Sequence, residues 1–173
     1  MIRAATQQDQ EQIIDLIHTI YQEFGFGWDP SGYHQDLYNL AEHYANPNNF
    51  WVYQKQNKIV GCIGIEVFTA LPGTKGELTT HQGQTRIAQA DCELCRLYLL
   101  PSARGQRIGL ELAQTCINYA REKRCHTMEI WSDHVLHQAH NLYRKLGATT
   151  IGERLCPPPD ETPEWGMLID LSS

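Results

Sequence analysis

The stretch "LPSARGQRIGLEL", Leu100 to Leu112, sets two arginines and two glycines within six residues, between a hydrophobic run and an amphipathic one. A turn that merely connects a strand to a helix needs neither the charge nor the missing side chains. Pro101 ends the strand, and Arg104 to Gly109 opens the helix. Unsatisfied N–H groups at a helix start, with the positive end of the helix dipole behind them, make a site for an anion. Gly105 and Gly109 allow the close backbone approach that a Cβ would obstruct. Arg104 and Arg107 can add charge-assisted contacts. The spacing lacks the G-K-[ST] ending of a P-loop and does not fit G-x-G-x-x-G.

Working outward, "RIAQADCELCRLYLL" reads as one long strand entering this turn, and "IGLELAQTCINYAREKRC" as the helix leaving it. Upstream, "MIRAA" is a short strand. A helix with Thr6 as N-cap runs through "QDQEQIIDLIHTIYQEF", where isoleucines recur at helical spacing. A second helix is expected near "YHQDLYNLAEHYA", and "FWVYQKQNKIVGCIGIEVF" reads as a hairpin turning near Gln56 and Asn57. "TALPGTKGELTTHQGQ" is expected to be a long polar loop. Downstream follow a strand "HTMEIWS", a helix "HVLHQAHNLYRKLG" closed by Gly147, and strands "ATTIGERL" and "EWGMLIDL". The alternation implies an α/β (α+β) fold: a mixed sheet with helices on both faces.

The chain of 173 residues shows no repeat or linker, so a single domain over residues 1–173 is expected. No apolar run reaches the roughly 20 residues of a membrane span, and "MIRAATQQDQEQ" lacks the apolar core of a signal peptide. A cytoplasmic, reducing location is therefore expected, with the six cysteines as free thiols. Cys92 and Cys95 form a C-x-x-C, but their odd spacing on a strand sends them to opposite faces. The net charge of −6 argues against a nucleic-acid partner. Residues 1–43 carry Asp9, Glu11, Asp15, Glu23, Asp29, Asp36 and Glu42 against Arg3 alone. Solvated helix faces account for such a pattern, as does a rim that attracts a cationic substrate.

With its flanks, the opening stretch resembles the acyl-CoA loop of the GNAT acetyltransferases, [RQ]-x-x-G-x-[GA]. Arg104 stands at the first position and Gly109 at the last, whereas Arg107 replaces the usual fourth glycine. The strand ending Leu-Tyr-Leu-Leu-Pro matches the family's L-Y-V-x-P. "AHNLYRKLGA", Ala139 to Ala148, resembles the family's C-terminal A-x-x-L-Y-x-K-x-G-F, with Ala148 in place of the aromatic. Leu136 stands where an Asn often meets the cofactor. "IRAATQQD" and "IVGCIGI" agree as well, so the likeness covers essentially the whole chain.

The resemblance implies a three-layer fold around a central, largely antiparallel sheet of six to seven strands, with a parallel pair splayed at the acyl-CoA site. It implies acetyl-CoA as cosubstrate, held by Arg104, Gly105, Gln106, Arg107, Ile108 and Gly109, with main-chain groups at Leu97 and Leu99 bonding the pantetheine and acetyl group. Transfer to a primary amine of a small molecule or peptide would occur directly, in a ternary complex. Tyr143 falls on the family's frequent general acid, and Glu93 on a position where some members carry a catalytic Glu. Glu93 could instead be a strand residue paired with Arg96 or a neighbouring lysine. Trp28, Tyr33 and His140 are candidates for the acceptor site. His134, His137 and His140 drift by ~60° per step around a helix and do not converge on an ion, so no metal is expected; Asp133 reads as their helix's N-cap. The alternative is a non-catalytic acyl-CoA sensor of the same fold. No membrane partner is implied, and a homodimer is compatible with the family.

Overall fold

The computed structural model describes residues 1–172. In chain order the elements are β1 (Ile2–Ala4), α1 (Gln10–Phe24), α2 (Gln35–Tyr38), α3 (Leu40–His43), β2 (Asn49–Lys55), β3 (Lys58–Val67), β4 (Leu78–His81), β5 (Gln84–Ile87), β6 (Cys92–Leu99), α4 (Ile108–Glu122), β7 (Thr127–Asp133), α5 (His137–Lys145), β8 (Thr149–Leu155) and β9 (Pro163–Asp170). Seven strands form a mixed sheet in the order β1-β2-β3-β6-β7-β9-β8, while β4 and β5 pair separately. β6 and β7 run parallel; β1-β2, β2-β3, β7-β9 and β8-β9 run antiparallel.

The chain divides into two compact units, Met1–Ile65 with Arg96–Cys116, and Glu66–Cys95 with Ile117 onward. In the first unit α1 buries Ile13, Leu16, Ile17, Ile20 and Tyr21, the i, i+3, i+4, i+7 stripe of an amphipathic helix. Gly25 ends it in the left-handed conformation. The β2-β3 hairpin turns at Gln56 and Asn57, both at positive φ, where the sequence places it. The helix expected over residues 33–45 is instead two single turns, α2 and α3, broken at Asn39. There the Asn39 side chain donates to the Gln35 carbonyl at 3.3 Å and competes with the helical ladder.

In the second unit two expectations fail together. The polar stretch read as a loop contains β4 and the turn of the β4-β5 hairpin, Gln82 and Gly83 at φ 49° and 77°, with β5 running on past its end. The long strand from Arg86 to Leu100 is interrupted at Gln89, φ 64°, whose side chain donates to the carbonyls of Leu71 and Gly73. Those bonds pin a bend, so Arg86 belongs to β5 and Glu93 to β6. β9 pairs with β7 along its length and with β8 on its other edge. None of the six cysteines is in a disulfide; Cys92 is buried and Cys95 half-buried.

Candidate active site

In the first unit, β6 ends at Leu99, a short turn covers Pro101–Ala103, and Gly105 and Arg107 follow at φ 73° and 64° before α4 begins. A Cβ on Gly105 would meet nothing within 4 Å, so it is the left-handed backbone that selects glycine here, not crowding. Arg107 takes the same conformation at the position where a glycine would be easiest. The first α4 ladder bond runs from the Glu111 N–H to the Arg107 carbonyl, so the amides of Ile108, Gly109 and Leu110 precede the ladder.

The turn's polar side chains have different fates. Gln106 donates to the Ser102 carbonyl at 2.7 Å and accepts from Lys55 at 3.1 Å. Arg107 is exposed. Arg104 donates to the Leu99 carbonyl and makes a bidentate pair with Glu23 at 2.6 Å on both arms. Arg104 therefore ties the turn to the end of α1.

β6 carries its own irregularity. Its register with β7 covers Cys92 to Leu94, and Arg96 then adopts φ 54°. Arg96 bonds Asp36 at 2.7 and 3.0 Å, donates to the Tyr33 carbonyl, and lies 4.8 Å over the Tyr33 ring. Leu97 and Leu99 are half-buried beyond this bend.

The candidate acceptor residues Trp28 and Tyr33 join an aromatic cluster. Trp28 stacks on His34 at 3.9 Å and donates to the Tyr38 hydroxyl, and Tyr21 meets Phe26, Trp28, His34 and Tyr98 edge-on. His34 is fully buried; its Nδ1 accepts the Asp29 N–H at 3.1 Å, so the neutral ring carries its proton on Nε2, which has no hydrogen-bond partner. Burial, and then the nearby Arg96, push His34 down to about 4. No feature of the sequence marked this residue.

In the second unit Tyr143 lies on α5 with 4% of its surface exposed. His140, one turn earlier, is buried and bonded to the Ser132 hydroxyl at 3.1 Å, with its pKa lowered chiefly by burial. His134 stacks on Trp165. Asp133 is not the N-cap of α5, which starts four residues later with Leu136 as its N-cap: the Asp133 carboxylate accepts the Val135 N–H and the Thr162 hydroxyl. Among the described residues, Asp91, Cys92 and Cys125 bring ligand-type atoms within 4.8 Å of one another. The Asp91 carboxylate there accepts the backbone N–H groups of His126 and Thr127.

Glu93 departs from both sequence expectations of its partner. Arg96 is held by Asp36; Glu93 instead faces Arg86, 3.1 Å away on β5. Arg86 also bonds Glu129, fully buried and directly opposite Glu93 in the parallel register. Burial and the neighbouring Glu129 push Glu93 up to about 8, against the pull of Arg86. An acid inside the apolar strand "HTMEIWS" was the available signal for this cluster, because a buried charge requires a partner.

A turn with left-handed backbone at Gly105 and Arg107 joins β6 to α4, and the mixed sheet has one parallel pair, β6 with β7. The sequence profile of the acetyltransferase (GNAT) family matches residues 13–148, and the chain belongs to that family; it is an acetyltransferase. It is 29% identical over 154 residues to an N-acetyltransferase of Escherichia coli K12 described as uncharacterized, covering 85% of this chain and 80% of that one. A GNAT acetyltransferase from Staphylococcus aureus Mu50 has the same fold, with TM-score 0.77 and 19% identity over 99% of both chains. So does an acetyltransferase from Salmonella typhimurium solved with acetyl-CoA, with TM-score 0.71 and 17% identity over 100% of this chain and 94% of that one. Among the described residues no helix is long and apolar enough to cross a membrane.

Proposed function

We propose that residues 1–173 act as one domain that transfers the acetyl group of acetyl-CoA directly to a primary amine of a small molecule or peptide. The observation that carries this reading is the turn after β6. Left-handed Gly105 and Arg107 are followed by three amides that precede the α4 ladder, an arrangement suited to a pyrophosphate. The acetyl-CoA in the Salmonella relative supports the donor. Arg104, Gln106 and Arg107 shape and charge the turn, and main-chain groups at Leu97 and Leu99 bond the thioester arm.

Magnitudes assign the proton work. An alkyl ammonium near pKa ~10 leaves about one molecule in 10³ neutral at pH 7, roughly 4–5 kcal/mol to recover. An ordinary Glu near ~4.3 would accept that proton uphill by about 8 kcal/mol. With Glu93 at about 8, the step costs about 3 kcal/mol. Tyr143 donates a hydrogen bond to the departing thiolate; full proton transfer from a phenol near ~10 to a thiol near ~8.5 is uphill by about 2 kcal/mol. A covalent cysteine intermediate is disfavoured: Cys62, Cys92 and Cys116 are fully buried, and burial pushes Cys62 up to about 12.

Calorimetric titration of acetyl-CoA into the protein and into Gly109→Trp tests the reading. Saturable one-site binding, lost in the variant, is the expected result, followed by turnover with a panel of polyamine, aminoglycoside and lysine-peptide acceptors. A folded protein that binds neither acetyl-CoA nor CoA would overturn it.

A further inference from the structure

The β4-β5 hairpin places one guanidinium between two carboxylates. Arg86 reaches Glu129 with Nε at 2.5 Å and Glu93 with Nη2 at 3.1 Å, and its charge lies 5.0 Å over the Phe68 ring. The two acids are neighbours by construction, since Glu93 and Glu129 are register partners on β6 and β7. Their supply of donors is unequal. Glu129 accepts from Arg86, from the Ile87 N–H at 2.9 Å and from the Trp131 indole at 3.1 Å. Glu93 shares only the second arm of the same guanidinium.

The remaining charges around Glu93 do not close the gap. Glu66 on β3 adds negative charge. Arg154 on β8 adds positive charge, but its Nε is bonded to Glu164 at 2.9 Å and another arm to the Thr85 carbonyl. Like charges opposite one another on adjacent strands repel, and two carboxylates that share one cation do not ionise independently. A hairpin anchor would need Arg86 and Glu129 alone; the second carboxylate is surplus to anchoring.

We propose that Arg86 is a positioning residue that makes Glu93 and Glu129 a one-proton pair, with the better-bonded Glu129 holding the guanidinium and Glu93 the member that takes up and releases the proton. The inference rests on the acetyl-transfer reading for what that proton is used for. In the reaction, Glu93 removes one proton from the acceptor ammonium. The neutral amine forms the C–N bond as the C–S bond breaks, and its second proton passes to the thiolate. Glu93 then returns its proton to solvent. The upward displacement of Glu93 agrees with this assignment.

The test is ¹³C NMR of the protein labelled at the glutamate side-chain carboxyls, titrated from pH 5 to 10, with E93Q, E129Q and R86K alongside. One resonance is expected to titrate above pH 7 and to vanish in E93Q. Its midpoint should fall by about one unit or more in E129Q, where the competing anion is gone. It should rise in R86K, because an ammonium cannot span both acids. No glutamate titrating above pH 6, or a midpoint unmoved by both E129Q and R86K, overturns the pair. The acid limb of kcat/KM for acetyl transfer should follow the same midpoints; a limb that ignores them overturns the base role of Glu93. Absence of transfer to any amine, with the NMR midpoints as expected, overturns the acetyl-transfer reading and leaves the one-proton pair standing.

Discussion

Arg107 occupies a left-handed position where the family usually places glycine, and the backbone keeps the conformation despite the Cβ. The cost, roughly 1–2 kcal/mol, is borne by the rest of the turn. His34 is the other residue whose local state has a measurable consequence. Its folded pKa lies below the unfolded value, so between about 4 and 6.5 the unfolded chain binds the extra proton. The His34 contribution is complete above pH 6.5 and is lost as pH falls toward 4. From pH 7 to pH 5 the wild type is expected to lose about 2 kcal/mol more stability than His34→Phe, measured by urea unfolding at both pH values. Parallel pH profiles would mean that the buried imidazole is charged or reaches solvent.

Close approaches between elements make a second prediction, decided by what can yield. A Cβ at Gly61 on β3 would come within 2.5 Å of a terminal methyl of Leu99, a half-buried side chain that can swing away. A Cβ at Gly166 on β9 would come within 2.6 Å of the Trp131 ring, which Arg154 covers at 4.1 Å on a face. Gly166→Ala is therefore expected to cost about 3 kcal/mol and Gly61→Ala about 1, with only the latter weakening acetyl-CoA binding through Leu99. Thermal unfolding and calorimetry on both variants check the order. The same elements mark how far the sequence could be read. The turn at Leu100–Leu112 announced itself through local chemistry, and α1 through its periodicity, because both signals lie within one turn of their cause. The β4-β5 hairpin did not: Leu78–His81 is polar on a half-exposed strand, and what fixes it is Arg86 reaching Glu129, 43 positions away. Glu93 was legible as a candidate, but its charge state was not, because that depends on β5, β7 and β8 at once.

At the scale of the whole molecule, the excess of acids in residues 1–43 is smaller in space than in sequence. Asp9 is paired with Arg3, Asp36 with Arg96 and Glu23 with Arg104, the last two cations coming from β6 and the turn that follows it. The acidic quarter is thus in part a set of counter-charges. Glu23→Gln leaves Arg104 without its anion, and acetyl-CoA binding is expected to tighten about two- to fivefold at low salt, with the gain erased at high salt. Calorimetry at two ionic strengths reads this directly, and an unchanged affinity would separate Arg104 from the ligand. The strand order carries a different kind of consequence. β9, made after β7 and β8, is the strand that lies between them. During synthesis β8 therefore leaves the ribosome with no strand beside it, and the edge of β7 stays open until β9 emerges. For that interval the nascent chain presents unpaired backbone on both sides of a gap. Chaperones that hold extended segments would find their substrate there.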